Sequence, residues 1–124
     1  MLALRIQDLP FVGSSHQFAG ADHGNVGASF FLVQAVPGRG APLHRHRYDE
    51  VILVQEGQGR LVVGNETRET TAGDIVVVKA GTPHGFVNTG TSTLKQVDLH
   101  LSPTFAQENL EPTEVSLNAG LPIP

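Results

Sequence analysis

The stretch GRGAPLHRHRYDEVILVQEG, residues 38–57, sets His44 and His46 one residue apart and places Glu50 at the head of an apolar run. The chain has six histidines, and two of them stand beside a segment built to be buried. An imidazole there costs free energy unless something compensates it. Pro42 before the pair and VILV after it favour a strand over a helix. On an unbroken strand the even-numbered His44, His46 and Glu50 share one face, whereas on a helix the two histidines would point nearly opposite ways. Two imidazoles and a carboxylate on one face form either a hydrogen-bonded, solvated group or a metal site.

Working outward, short β-branched runs alternate with glycine, proline and asparagine stops. SFFLVQAV (29–36) and EVILVQE (50–56) read as strands, and RLVV (60–63) with ETRETT (66–71) reads as a hairpin about Gly64 and Asn65. DIVVVK (74–79), HGFVN (84–88) and LKQVDLHL (94–101) complete the series. This spacing predicts an all-β domain, a sandwich or closed barrel, with no helix long enough for βαβ units. Residues 1–28 are predicted to hold a short strand and a polar, glycine-rich loop, residues 29–102 the barrel, and residues 103–124 a partly extended or disordered tail. Within that tail, TFAQENLE is the segment predicted to carry a helical turn.

Composition limits the function classes. A chain of 124 residues makes one domain, able to bury roughly two thirds of its unfolded surface. There is no cysteine, so disulfides, thiolate zinc sites and cysteine nucleophiles are excluded together. The formal charge is −4 and the eight basic residues are scattered, leaving no footprint for a phosphate backbone. No apolar run approaches the roughly 20 residues that span a bilayer, and Asp8 and Pro10 interrupt the opening segment before it reaches signal-peptide length. The expectation is a soluble, cytoplasmic protein with no nucleic-acid and no membrane partner.

A second segment, GDIVVVKAGTPHGFVN (73–88), delivers His84 after a tight turn through Gly81 and Pro83. If its strand neighbours the one carrying His46, three neutral nitrogen donors and one charged oxygen donor come together. A divalent ion in such a set keeps a net positive charge and, with five or six ligands, leaves one or two positions open. That suits catalysis more than structure.

These two segments resemble the motifs of the cupins, in particular the small single-domain members. The first motif is matched throughout: Gly38, five residues, His44, one, His46, three, Glu50, six, Gly57. The second runs Gly73, five residues, Lys79 where proline is usual, one, Gly81, two, His84, three, Asn88. Fifteen residues separate the motifs, and the resemblance covers about residues 30–101. It implies a double-stranded β-helix barrel, a jelly roll, with His44, His46, Glu50 and His84 holding one divalent transition metal: iron, manganese, nickel, copper or zinc. Family habit also implies a homodimer. The fold hosts many chemistries. A metal-dependent, dioxygenase-like oxygenase acting on a small organic substrate is the first reading. A non-catalytic metal- or ligand-binding module or sensor, and a Lewis-acid sugar or keto isomerase, are the alternatives.

Asp98 and His100 share a face of the last strand and are candidate catalytic residues, as a general acid or base or as partners of a ligand. The opposite parity, Val97, Leu99 and Leu101, looks like the packed side, so the pair is expected to face outward. His16 and His23 are expected to be ordinary exposed loop histidines, with a lid over the barrel mouth as the alternative. Arg45 and Arg47 should point away from the ligand face, Tyr48 toward solvent, and Lys79 should be an exposed turn residue. Phe31 and Phe86 should wall a cavity or fill the core.

Overall fold

Each β-branched run between glycine or proline stops becomes a strand in the computed structural model, which describes all 124 residues. The strands are β1 (Phe11–Val12), β2 (Ser15–Phe18), β3 (Ser29–Ala35), β4 (Gly40–His46), β5 (Glu50–Glu56), β6 (Gln58–Val63), β7 (Glu66–Thr71), β8 (Ile75–Val78), β9 (His84–Val87), β10 (Leu94–His100) and β11 (Gln107–Asn109), followed by helix α1 (Glu114–Ala119). They form a six-stranded sheet ordered β1-β2-β3-β10-β5-β8 and a five-stranded sheet ordered β11-β4-β9-β6-β7. All pairings are antiparallel. The result is the expected single-domain all-β jelly roll.

Three predicted details change. Ser15–Phe18, inside the segment predicted to be loop, pairs with β3 from Ser15↔Val33 to Phe18↔Phe30. In the tail, the predicted helical turn is instead β11, which adds to β4 through Gln107↔His46 and Asn109↔His44. The helix falls where extended chain was expected. Thr113 caps it by accepting from Ser116 N at 3.1 Å, and Gly120 ends it at φ 80°. Its reason to form is tertiary: Ala119 and the following Leu121 pack with Leu43, Val62 and Val87 on the outer face of the five-stranded sheet.

Between the sheets lies the main core of Val33, Ala35, Ile52, Val54, Leu61, Val78, Phe86 and Leu94. Full burial of each large side chain contributes about 1.5–3 kcal/mol. Close approach of β4 and β9 depends on two glycines. A Cβ on Gly40 would sit 2.0 Å from the Phe86 carbonyl oxygen, and one on Gly85 would sit 2.7 Å from that of Ala41. With these positions bare, the strands pair so that His44 stands directly opposite His84.

The two outer faces differ. The five-stranded sheet is covered by α1, but the six-stranded sheet carries two apolar rows across four adjacent strands. One row runs Val77, Val51, Leu99, Phe30, and the next Ile75, Leu53, Val97, Leu32. Ile75 is 65% exposed and Val77 57%. The N-terminal segment reaches only the β3 end, where Leu2, Leu4, Ile6 and Leu9 line a cleft with Phe30 and Leu32.

Candidate metal centre

The chain turns at Arg47–Asp49, so His46 ends a strand of one sheet and Glu50 begins a strand of the other. The shared face predicted for an unbroken strand is therefore achieved differently. His44 and His46 from β4 and His84 from β9 meet Glu50 across the space between the sheets. The turn is braced by Asp49, whose carboxylate accepts from Lys79 Nζ at 2.9 Å and Ala80 N at 2.8 Å. Those bonds hold the Asp49 carboxyl below the usual carboxylate range. They also fix the turn in which lysine replaces the usual proline. Asn88 closes the other end, donating to the carbonyls of Ala35 and Ser92 at 2.8 Å each.

All four side chains are buried, and their donor atoms lie within 4.8 Å of one another. Each imidazole is oriented by a backbone carbonyl: His44 Nδ1 to Pro42 O at 2.7 Å, His46 Nδ1 to Tyr48 O at 2.8 Å, and His84 Nδ1 to Thr82 O at 2.8 Å. A carbonyl only accepts, so Nδ1 carries the proton and a neutral ring turns its Nε2 lone pair inward. Glu50 Oε1 lies 2.8 Å from His46 Nε2 and 3.1 Å from His84 Nε2. Lone pairs of two nitrogens and a carboxylate face one another at these distances only with a cation between them, a proton or a metal ion. The donor set therefore fits a divalent ion.

Burial disfavours charge here. It lowers His44 from 6.5 to about 4, with help from neighbouring His84. For Glu50 burial pulls upward, but the close His46 and His84 nitrogens, with His100 nearby, win and hold it well below the ordinary carboxylate range.

His100 and Asp98 point inward, contrary to the parity expectation. β10 is central in its sheet, and its polar parity faces the cavity while Val97 and Leu99 face outward in the apolar rows. A barrel with a polar interior inverts the usual reading of an amphipathic strand. His100 stands opposite Glu50 on β5, its Nε2 3.5 Å from Glu50 Oε1. Burial lowers it from 6.5 to about 4. Tyr48, expected at the surface, places its hydroxyl 2.8 Å from His100 Nδ1 and accepts from Ala106 N at 3.5 Å. This hydrogen bond fixes the ring with Nε2 facing Glu50. Asp98, one step along the same face, accepts from Gln96 Nε2 at 2.9 Å. Burial, then the Glu50 charge, raises its carboxyl well above the usual range.

His44, Glu50, His84, Asp98 and His100 line a cavity of about 340 Å³ with Phe31, Val33, Ile52 and Phe86 among its apolar walls. Both candidate phenylalanines therefore serve the cavity. Arg45, Arg47 and Lys79 are exposed as expected. His16 and His23 are half-buried instead of exposed, His16 edge-on to Phe11 and His23 stacked on Phe18.

Two facing antiparallel sheets with a histidine and carboxylate cluster between them define a class of β-barrel with an internal donor site. The profile described as Cupin domain matches residues 31–100, more than half of the chain, and the chain belongs to the cupin family. A sequence comparison with curated proteins gives no match. Among solved structures, a variant of oxalate decarboxylase from Bacillus subtilis aligns with TM-score 0.76 and 20% identity, over 86% of this chain and 31% of that one. The formate complex of Lactobacillus farciminis oxalate decarboxylase gives 0.74 and 21%, over 84% and 34%. An oxalate oxidase gives 0.71 and 21%, over 79% and 55%. The chain spans about a third of the length of these decarboxylases and about half of the oxidase. At such identity the likeness concerns the fold.

Proposed function

We propose that this cupin holds one divalent transition-metal ion through His44, His46, Glu50 and His84 and acts as an oxygenase on a small organic substrate. The observation that carries the reading is the convergence of four buried donor atoms with every imidazole fixed by a carbonyl. An ion there would supply a Lewis-acidic, redox-capable centre with positions open to the cavity. His100 is a positioning residue for Glu50, itself oriented by the Tyr48 hydroxyl. Asp98 lines the cavity and can hold a proton near a bound substrate. Manganese deserves inclusion among the ions tested, because a structural neighbour of the same fold is described with Mn(II) centres.

The test is elemental analysis of purified protein, then dioxygen uptake by the iron, manganese and copper forms with small phenols, diketones and thiols. One redox-active ion per chain with substrate-dependent uptake is the expected result. Zinc, or full loading with no uptake, would transfer the reading to the isomerase or the non-catalytic binding module.

The partner proposed for the apolar face is a second copy of this chain. Two apolar rows without an intervening charge, with Ile75 and Val77 well exposed at one edge, suit a self-complementary contact about a two-fold axis. Light scattering is expected to give twice the 13.2 kDa chain mass. Val77→Glu, at an exposed position that tolerates charge in the monomer, should halve it; a monomer in the unmodified protein would remove the dimer.

A further inference from the structure

None of the eight cationic side chains lines the cavity. Five are paired with carboxylates elsewhere: Arg45 with Glu108, Arg60 with Glu69, Arg68 with Asp74, Lys79 with Asp49 and Lys95 with Glu56. Arg39 and Arg47 are exposed, and Arg5 lines the separate N-terminal cleft. The ionisable groups on the cavity wall are His44, His84, His100, Glu50 and Asp98. It can therefore offer an incoming anion no positive charge except that of a bound ion.

The charge sum follows. A divalent ion, one ionised Glu50 and three neutral imidazoles leave a net +1. A singly charged chelating ligand brings the buried site to neutrality, whereas a dianion leaves an uncompensated negative charge beside Glu50, where burial weakens screening by water. The rest of the wall is mixed, with Ser14, Ser15, Gln17 and Gln107 on one part and an apolar group on the other. Phe31, Phe86, Ile52 and Val33 would cover the body of a ligand, leaving its two oxygens for the ion.

Resting on the metal reading above, we infer that the cavity selects a neutral or singly charged bidentate oxygen ligand with an apolar body and discriminates against small dicarboxylate dianions. Asp98 lines the same cavity and adds no positive charge to it, so a second ligand carboxylate finds no cationic partner beyond the ion. The inference separates this chain's substrate class from the oxalate named for its structural neighbours.

The experiment uses the full chain loaded with cobalt(II), its metal content measured in each sample. Tropolonate, a rigid singly charged oxygen chelator, is compared with oxalate by calorimetry and by the visible cobalt spectrum, each affinity being divided by that of the chelator for the free ion. The expected result is a preference for tropolonate of about tenfold or more. Gln107→Arg introduces a cation at an exposed lining position and should raise oxalate affinity by about tenfold with little change for tropolonate. Equal or tighter oxalate binding to fully loaded protein would overturn the inference while leaving the metal reading intact. Failure of the unmodified protein to retain cobalt would overturn the metal reading, and this inference with it.

Discussion

Replacing His84 with alanine is expected to reduce retained divalent metal from about one ion per chain to a small fraction, while the barrel stays folded. Removing even a residue that only orients a ligand costs about 10–100-fold in metal affinity. Loss of a donor among four should therefore cost at least about 100-fold. The fold should survive because the lost imidazole borders the cavity, and water can take its place beside Glu50. The structural loss is the hydrogen bond to the Thr82 carbonyl at 2.8 Å, about 1 kcal/mol, and the 3.1 Å contact with Glu50, together with some packing against His44 and His46. Elemental analysis after dialysis, with a circular dichroism spectrum and melting curve of the same sample, separates the two effects. Unchanged metal content would remove His84 from the site. Loss of cooperative melting would instead make its role structural.

The four proposed ligands were legible because the cupin motifs place a histidine or carboxylate at strand ends and bracket it with turn residues. Gly38 and Gly81, at φ 84° and 81°, occupy the left-handed region that those turns need. The strands were legible for the same reason: β-branched runs end where glycine or proline stops them. The geometry that joins His46 to Glu50 was not. It depends on the Arg47–Asp49 turn sending β5 into the opposite sheet, and parity along one strand carries no information about a second sheet. Asp98 and His100 were misplaced by a sound rule applied to the wrong geometry, since the apolar parity of β10 belongs to an outward face that is itself apolar across four strands. The tail was misread because α1 is six residues long and owes its stability to Ala119 and Leu121 packing on the outer sheet face. Its local signals, Thr113 before it and Gly120 after it, are present in the sequence but weak without that surface.

Acidification of the metal-free protein is expected to lower its stability progressively between about pH 6.5 and 4. His44 and His100 drop from 6.5 to about 4 because burial, the leading cause for each, resists protonation. Above pH 6.5 both are neutral in the folded and unfolded chains and contribute nothing to the slope. Below it the unfolded chain takes up protons that the folded chain refuses, so stability falls with pH until about 4. A displacement of this size corresponds to about 3 kcal/mol per histidine, and the two together amount to less than twice that, because both sit in the field of Glu50. Glu50 acts in the same direction at lower pH: its depressed folded value gives stability that is present above its ordinary range and lost as pH falls below it. Asp98 opposes the trend. Its raised value makes the ionised form unfavourable in the fold, and protonation on acidification returns stability. Against a total of about 5–15 kcal/mol for a small domain, the histidine term dominates and should lower the melting temperature by about 10 °C between pH 7 and 4.5. Thermal melts in the presence of a chelator measure it, and Asp98→Asn, by deleting the opposing group, should steepen the profile. A flat profile would mean that neither imidazole is held neutral in the fold. The same burial favours metal over proton at His44, whose Nε2 lone pair stays free for an ion through the physiological range.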